Sequence, residues 1–202
     1  MTTLLTCTGP VPADSTGSRF GGVPLVPAGF RWPECATCAA PMQFVAQLRL
    51  EGARVAAVFL CDSYHGDCAT WDPWEGANSV SVHASEGLVP APVPGGDGTL
   101  LDGVAGLELA DRPEDDCFEA AEAWSAATGR PELDVLGQWG GEPWWMQGDE
   151  TPACRGCAGS MSFVAMLWEG HDPSGAVPNF GTGAGYVFVC DRCARGVFLF
   201  QC

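Results

Sequence analysis

The chain has no lysine and no isoleucine, and asparagine occurs only at Asn78 and Asn179. All nine basic residues are arginines, set against 25 acidic residues for a formal net charge of −16. Loss of lysine and isoleucine together is what GC-rich codon usage produces. Its consequence is physical all the same. A phosphate backbone is bound by clustered cations that displace counterions, and no cluster of arginines occurs, so direct nucleic-acid binding is excluded and a basic protein segment is the favoured ligand. Long apolar runs are missing too. No stretch reaches the roughly 18 residues that a spanning helix requires, and the start, Met1-Thr-Thr-Leu-Leu-Thr-Cys7, lacks the basic and apolar regions of a secretory leader. These absences predict a cytoplasmic protein away from the membrane.

Cysteine, in contrast, is abundant, with eleven in 202 residues. In a reducing compartment a spaced cysteine pattern points to metal more often than to disulfides. The pattern here is duplicated. Cys35-Ala-Thr-Cys38-Ala-Ala-Pro-Met-Gln-Phe-Val-Ala-Gln-Leu48 recurs as Cys154-Arg-Gly-Cys157-Ala-Gly-Ser-Met-Ser-Phe-Val-Ala-Met-Leu167, and from Gly21 to Leu48 thirteen of 28 aligned positions are identical. After ten additional residues in the second copy the match resumes, Val58-Phe-Leu-Cys61-Asp62 against Val187-Phe-Val-Cys190-Asp191. Each copy has one further cysteine, Cys68 or Cys193.

The cysteines of a C-x-x-C turn can face one ion while backbone amides donate to the thiolates. In the first copy Met42 to Leu50 alternates, with Met42, Phe44, Ala46, Leu48 and Leu50 on one side, and Arg54 to Leu60 follows as a second strand. A hairpin at Glu51-Gly52 would return Cys61 and Cys68 to Cys35 and Cys38. In the second copy Cys190 and Cys193 would meet Cys154 and Cys157 in the same way. His65 is the alternative to Cys68 as fourth ligand; the parallel between Cys68-Ala69 and Cys193-Ala194 favours the cysteine. Four thiolates fill a tetrahedron and leave no position for substrate, so two structural zinc ions are expected.

Around these units the chain reads as an N-terminal arm (1–17), a first repeat (18–87), a linker with a strand in Leu100 to Leu109 and a helix (88–135), and a second repeat (136–202). Ser79 to His83 and Val197 to Phe200 are matching third strands. Arg112-Pro-Glu-Asp-Asp116 places acidic residues in the first turn of a helix running to about Ala127 and ended by Thr128-Gly129. Cys117, Ala120, Ala121, Trp124 and Ala127 form its apolar stripe. The expected class is α+β, mainly antiparallel β: a tandem duplication of a zinc-ribbon-like unit with a helical insert and pseudo-twofold symmetry.

Enzyme readings find little support. A zinc deaminase needs His-x-Glu ahead of a contiguous Pro-Cys-x-x-Cys, whereas the chain has Pro33-Glu-Cys35 and Pro152-Ala-Cys154, with His83 after the first pair. A thioredoxin-like pair explains one C-x-x-C, not two at matched positions. No spacing joins Cys7, Cys117 or Cys202 to His65, His83 or His171 as a nucleophile and base. Trp139, Trp144 and Trp145 crowd the entry to the second repeat and Trp71 and Trp74 follow the first site; core packing is the favoured reading and a peptide-binding surface the other.

The order Gly-Gly-x-Pro, C-x-x-C, Met-x-Phe-Val-Ala-Gln-Leu and Val-Phe-Leu-Cys, duplicated about a helix, resembles the group that unites bacterial YwqG-like proteins with programmed cell death protein two and its ribosome-maturation relatives. The resemblance covers Gly21 to Cys61 and Trp139 to Cys202. It implies a duplicated, zinc-bearing β unit that acts by protein contact, with Cys35, Cys38, Cys61, Cys68, Cys154, Cys157, Cys190 and Cys193 as ligands. Eukaryotic members look like dedicated chaperones for a ribosomal protein, and bacterial members include suspected toxin-immunity proteins. The chain departs from the pattern at Met166, where the first copy has Gln47, and in lacking a basic surface. The expected function is a non-enzymatic zinc protein serving as interaction module or chaperone. Toxin immunity and a thiol-redox or metalloenzyme role are the alternatives.

Overall fold

The computed structural model describes residues 1–62, 68–169, 175–180 and 182–202. In chain order the elements are β1 (Thr2–Pro10), β2 (Arg19–Gly21), β3 (Leu25–Val26), β4 (Gln43–Leu50), β5 (Arg54–Leu60), β6 (Asn78–Ala84), β7 (Val89–Pro90), β8 (Val104–Arg112), α1 (Cys117–Thr128), a 3₁₀ turn (Glu132–Asp134), β9 (Val135–Trp139), β10 (Ser162–Trp168), β11 (Ala184–Cys190) and β12 (Arg195–Gln201). Ten strands close into one antiparallel barrel in the order β1-β8-β2-β4-β5-β6-β12-β11-β10-β9, and β3 and β7 pair separately.

The α+β expectation is thereby corrected. The fold is mainly β, a closed barrel with a single α-helix packed outside it among the described residues. The helix is not a layer that separates two ribbons. Each copy on its own would expose unpaired strand edges, which are hazardous for a soluble domain. Closure removes them, and it uses strands from outside the repeats. β1 leads into the first copy yet pairs with β9 of the second, while β8 leads into the second copy yet pairs with β2 of the first; β1 and β8 pair with each other. The segment Leu4 to Cys7, read as an arm, is therefore the middle of a barrel strand with Leu4 and Leu5 fully buried.

The duplication is visible in the register. From the β6/β12 seam outward the strand order is the same on both sides, β5-β4-β2 and β11-β10-β9. A bulge falls at Val45 between the Phe44↔Phe59 and Ala46↔Val58 pairs, and its counterpart falls at Val164 between Phe163↔Phe188 and Ala165↔Val187. This bulge corrects the alternation expected for Met42 to Leu50. An extra residue reverses the facing of side chains, so Met42 and Phe44 point outward into the cysteine cluster while Val45, Ala46 and Leu48 enter the barrel. The interior is filled by residues of both copies, including Phe20, Leu48, Val58, Leu167, Val187 and Phe198.

Helix α1 begins later than its acidic lead-in suggests. Asp116 is the N-cap, its carboxylate accepting from the amides of Phe118 (2.8 Å) and Glu119 (3.1 Å), and Gly129 closes the helix at φ 71°. Glu114 and Asp115 precede the first turn. Ala120, Ala121 and Trp124 pack on Leu4 and Val135, so the helix covers the outside of the barrel where β1 meets β9.

Gly137 marks the tightest approach in the closure. It sits in β9 at φ 148°, and a Cβ there would lie 1.9 Å from the Met166 carbonyl oxygen. Backbone must move to accept any side chain. Gly137→Ala is expected to lower stability by about 2–4 kcal/mol, within the range of severe single substitutions, as read from urea unfolding followed by circular dichroism.

Candidate metal centres

Two groups of four cysteines form in the folded chain: Cys35, Cys38, Cys61 and Cys68, and Cys154, Cys157, Cys190 and Cys193, the sulfur atoms of each group all within 4.8 Å of one another. These are the eight residues expected from the spacing. His65 lies outside the described residues. Either set has the donor chemistry and compactness for one tetrahedral ion, and thiolate donors suit zinc.

The same local backbone builds both. Cys35 N–H donates to Ala40 O (2.9 Å), Ala39 N–H to Cys35 O (2.8 Å) and Met42 N–H to Pro33 O (3.0 Å); in the second copy Cys154 N–H donates to Gly159 O (2.8 Å), Ala158 N–H to Cys154 O (2.7 Å) and Met161 N–H to Pro152 O (3.0 Å). Ala39 and Ala158 hold φ of 58° and 56°, a conformation uncommon outside glycine that turns the chain sharply enough to aim both sulfurs inward. The hairpin β4–β5 then delivers Cys61, and β10–β11 delivers Cys190. Cys38 Sγ lies 3.6 Å from Cys61 Sγ, and Cys157 Sγ lies 3.6 Å from Cys190 Sγ.

The protein's own groups already favour one thiolate in each set. For Cys154 the Gly156 amide, donating at 3.4 Å, outweighs burial and brings the thiol down to about 7. For Cys35 burial pushes upward, but the amides of Cys38 and Thr37 and the neighbouring thiols prevail, again to about 7. Cys117, outside both sets, is buried and raised to about 12, which makes it a poor nucleophile.

The clusters sit on the outer wall of the barrel and anchor small cores there. The first is packed with Met42, Phe44, Ala57 and Phe59, against which Phe30 and Trp32 close; the Trp32 indole N–H donates to Met42 O at 2.7 Å. The second is packed with Met161, Tyr186, Phe188 and Leu199, with Trp145 stacked on Tyr186 at 4.7 Å. Trp74 of the first copy meets the second cluster's turn, with the Arg155 guanidinium 4.6 Å from its ring centre. The two outer cores differ in charge. Arg155 and Arg192 lie on the turns that carry the second cysteine set and Arg195 opens β12 directly after, while the first set's C-x-x-C turn has Ala36 in place of Arg155.

Gln47, Arg19 and Gln138 form a set that spacing did not reveal. Arg19 is fully buried and drawn down to about 10 by desolvation. It donates to Ser15 O (3.1 Å), Gly21 O (2.9 Å), Val23 O (2.6 Å) and the Gln47 side-chain oxygen (3.4 Å), which also accepts from Leu25 N–H (3.1 Å). At the position of Arg19 the second copy has Gln138, which donates to Gly140 O (3.1 Å) and Glu142 O (2.8 Å) and accepts from Trp144 N–H (3.3 Å). One glutamine thus meets the equivalents of Gly21 O, Val23 O and Leu25 N–H, the groups at which Arg19 and Gln47 act together, leaving Met166 free to be apolar; the first half adds bonds from Gln47 to Ser15 O and Gly17 O. This accounts for the departure at Met166. Asp149 caps a turn by accepting from Thr151 N–H (2.8 Å).

Two outcomes follow. Arg19→Met, which leaves buried acceptors unpaired, is expected to cost about 3–5 kcal/mol, whereas Arg19→Gln with Gln47→Met, copying the second half, costs less than the sum of its single changes in a double-mutant cycle. The first cluster, with Cys38 exposed and Ala36 where the second has Arg155, is expected to lose a bound metal to a chelator before the second, and Cys38→Ser to halve the metal bound per chain.

No protein-family model matches the chain, and no curated protein matches it either; the duplicated cysteine geometry is what its function has to be read from.

Proposed function

We propose that the chain is a non-enzymatic protein with two structural zinc ions that acts by binding another protein, most simply a basic segment that it shields until assembly. The observation that carries this reading is the duplicated four-sulfur geometry. Four protein donors complete the coordination of zinc, so the ions stabilise the outer cores and offer no position to water or substrate. The charge of −16 favours a basic partner, and steering by charge speeds encounter more than it strengthens the complex. The resemblance to YwqG-like proteins and programmed cell death protein two supports the same reading. A toxin-immunity role is a narrower version, in which the partner is one folded domain.

No helix is long and apolar enough to cross a membrane among the described residues. The cytoplasmic setting is part of the proposal, since it keeps eight closely spaced thiols reduced.

Elemental analysis under reducing conditions, paired with thiol titration of the native protein, tests the metal assignment. The expected result is two zinc ions per chain and eight shielded thiols. Of the remaining three, exposed Cys202 reacts fast, half-buried Cys7 slowly, and buried Cys117 only after unfolding. Chain without zinc but with reactive thiol pairs would replace the structural reading by thiol chemistry.

A further inference from the structure

The two halves share a scaffold, so a feature that one half has and the other lacks is not needed to build it. A cavity of about 400 Å³ lies beside α1 in the second half, lined by Phe118, Leu133, Trp144, Met146 and Trp168, with Glu132 and Glu169 among its further walls. At the matching positions of the first half stand Leu25, Pro27 and Arg49 where this groove has Trp144, Met146 and Trp168. Leu25 and Val26 are paired there with Val89–Pro90 of the same chain. No described strand pairs with residues 144–145.

The groove's apolar groups are held out to solvent at some cost. Phe118, Leu133 and Met146 are 49%, 59% and 39% exposed, and they converge on one spot. Phe118 lies off the stripe by which α1 packs on the barrel. It instead meets Trp144 edge-on at 4.6 Å and stacks on Trp168 at 5.1 Å, forming an aromatic floor. Trp145 stacks on Tyr186 and Phe188 of the outer core, while Trp144 touches that core and also faces the groove.

Charge decides what fits. No arginine is among the described lining residues, and the nearby Arg130 is committed to Asp134 at 2.8 Å. Glu169 accepts from the amides of Phe180 (3.0 Å) and Thr182 (2.9 Å), both neutral donors. A second copy of so acidic a chain would bring like charges together. We propose that this groove docks a segment of a partner protein that inserts one or two large apolar side chains between Phe118, Leu133 and Met146 and flanks them with lysine or arginine facing Glu132 and Glu169. This deepens the protein-binding reading and rests on it.

The test is fluorescence anisotropy with a labelled amphipathic peptide of leucine and lysine, and the same peptide with glutamate for lysine, on the zinc-loaded full chain. The lysine peptide is expected to bind with Kd on the order of 10 μM and the glutamate peptide at least about tenfold more weakly. Leu133→Ser with Met146→Ser, at exposed positions, should weaken the lysine peptide about tenfold with zinc content and circular dichroism unchanged. Glu132→Lys should weaken it several-fold and flatten its salt dependence. A double variant that binds like the parent would overturn the groove as the site, as would failure of the parent to bind. Sedimentation of the unliganded chain supplies the other arm: a dimer dissolved by the double variant would make a second copy the occupant. A structural-zinc failure is separable, because it appears in the metal content of the parent before any peptide is added.

Discussion

Closure of the sheet is the constraint on which the rest of the molecule depends. A repeat of about sixty residues buries too little to stand alone, and strands left unpaired at its edges would invite association. Both difficulties are met by placing two repeats in one barrel and inserting the paired strands β1 and β8 between β9 and β2. Because each of these strands sits beside the copy that it does not precede, neither half can complete its hydrogen bonding without the other. The interior is correspondingly shared, Phe20 and Leu48 meeting Leu167 and Phe198 in one core.

The two cysteine clusters, with the ions proposed for them, would act at a second level. The barrel interior is apolar and continuous, and the sulfur clusters lie outside it, where loops of irregular backbone must be fixed to a sheet surface. An ion held by four thiolates would add folding energy there to what the small outer cores supply. The bulges at Val45 and Val164 connect the two levels. Each turns one strand from serving the outer core, through Phe44 or Phe163, to serving the inner one, through Ala46 or Ala165. A strand without the bulge would place those side chains on a single face and starve one core.

How much of this was legible in the sequence depended on whether the signal was local. The eight cysteines, the hairpin β4–β5 and the apolar stripe of α1 follow from short-range spacing, and they lie where that spacing puts them except for Ala127, which is exposed at the helix end. Barrel closure does not. Nothing within Thr2–Pro10 tells that its partners are 95 to 136 residues away, and its short run of threonine and leucine reads as an arm. Alternation misled at Phe44 because a bulge inserts one residue without a sequence marker. The equivalence of Gln138 to Arg19 and Gln47 was open to view at the repeat offset, yet it needed the hydrogen bonds to be seen as one function carried by different residues.

The comparison of halves also separates what folds the chain from what employs it. Where both copies keep a residue, as at Met42 and Met161 or Ala39 and Ala158, the fold has a use for it: a core to fill, a turn to make. Where they differ, the difference is either compensated or exposed. Met166 is compensated, because Gln138 meets the backbone groups that Gln47 and Arg19 meet in the first half. Trp168 is not, since Arg49 at the matching position is exposed and brings no aromatic ring. Trp168 packs in part on the outer core and the helix, and the rest of its ring faces the groove. Its retention beside Phe118 and Trp144 is intelligible if something outside the chain covers it.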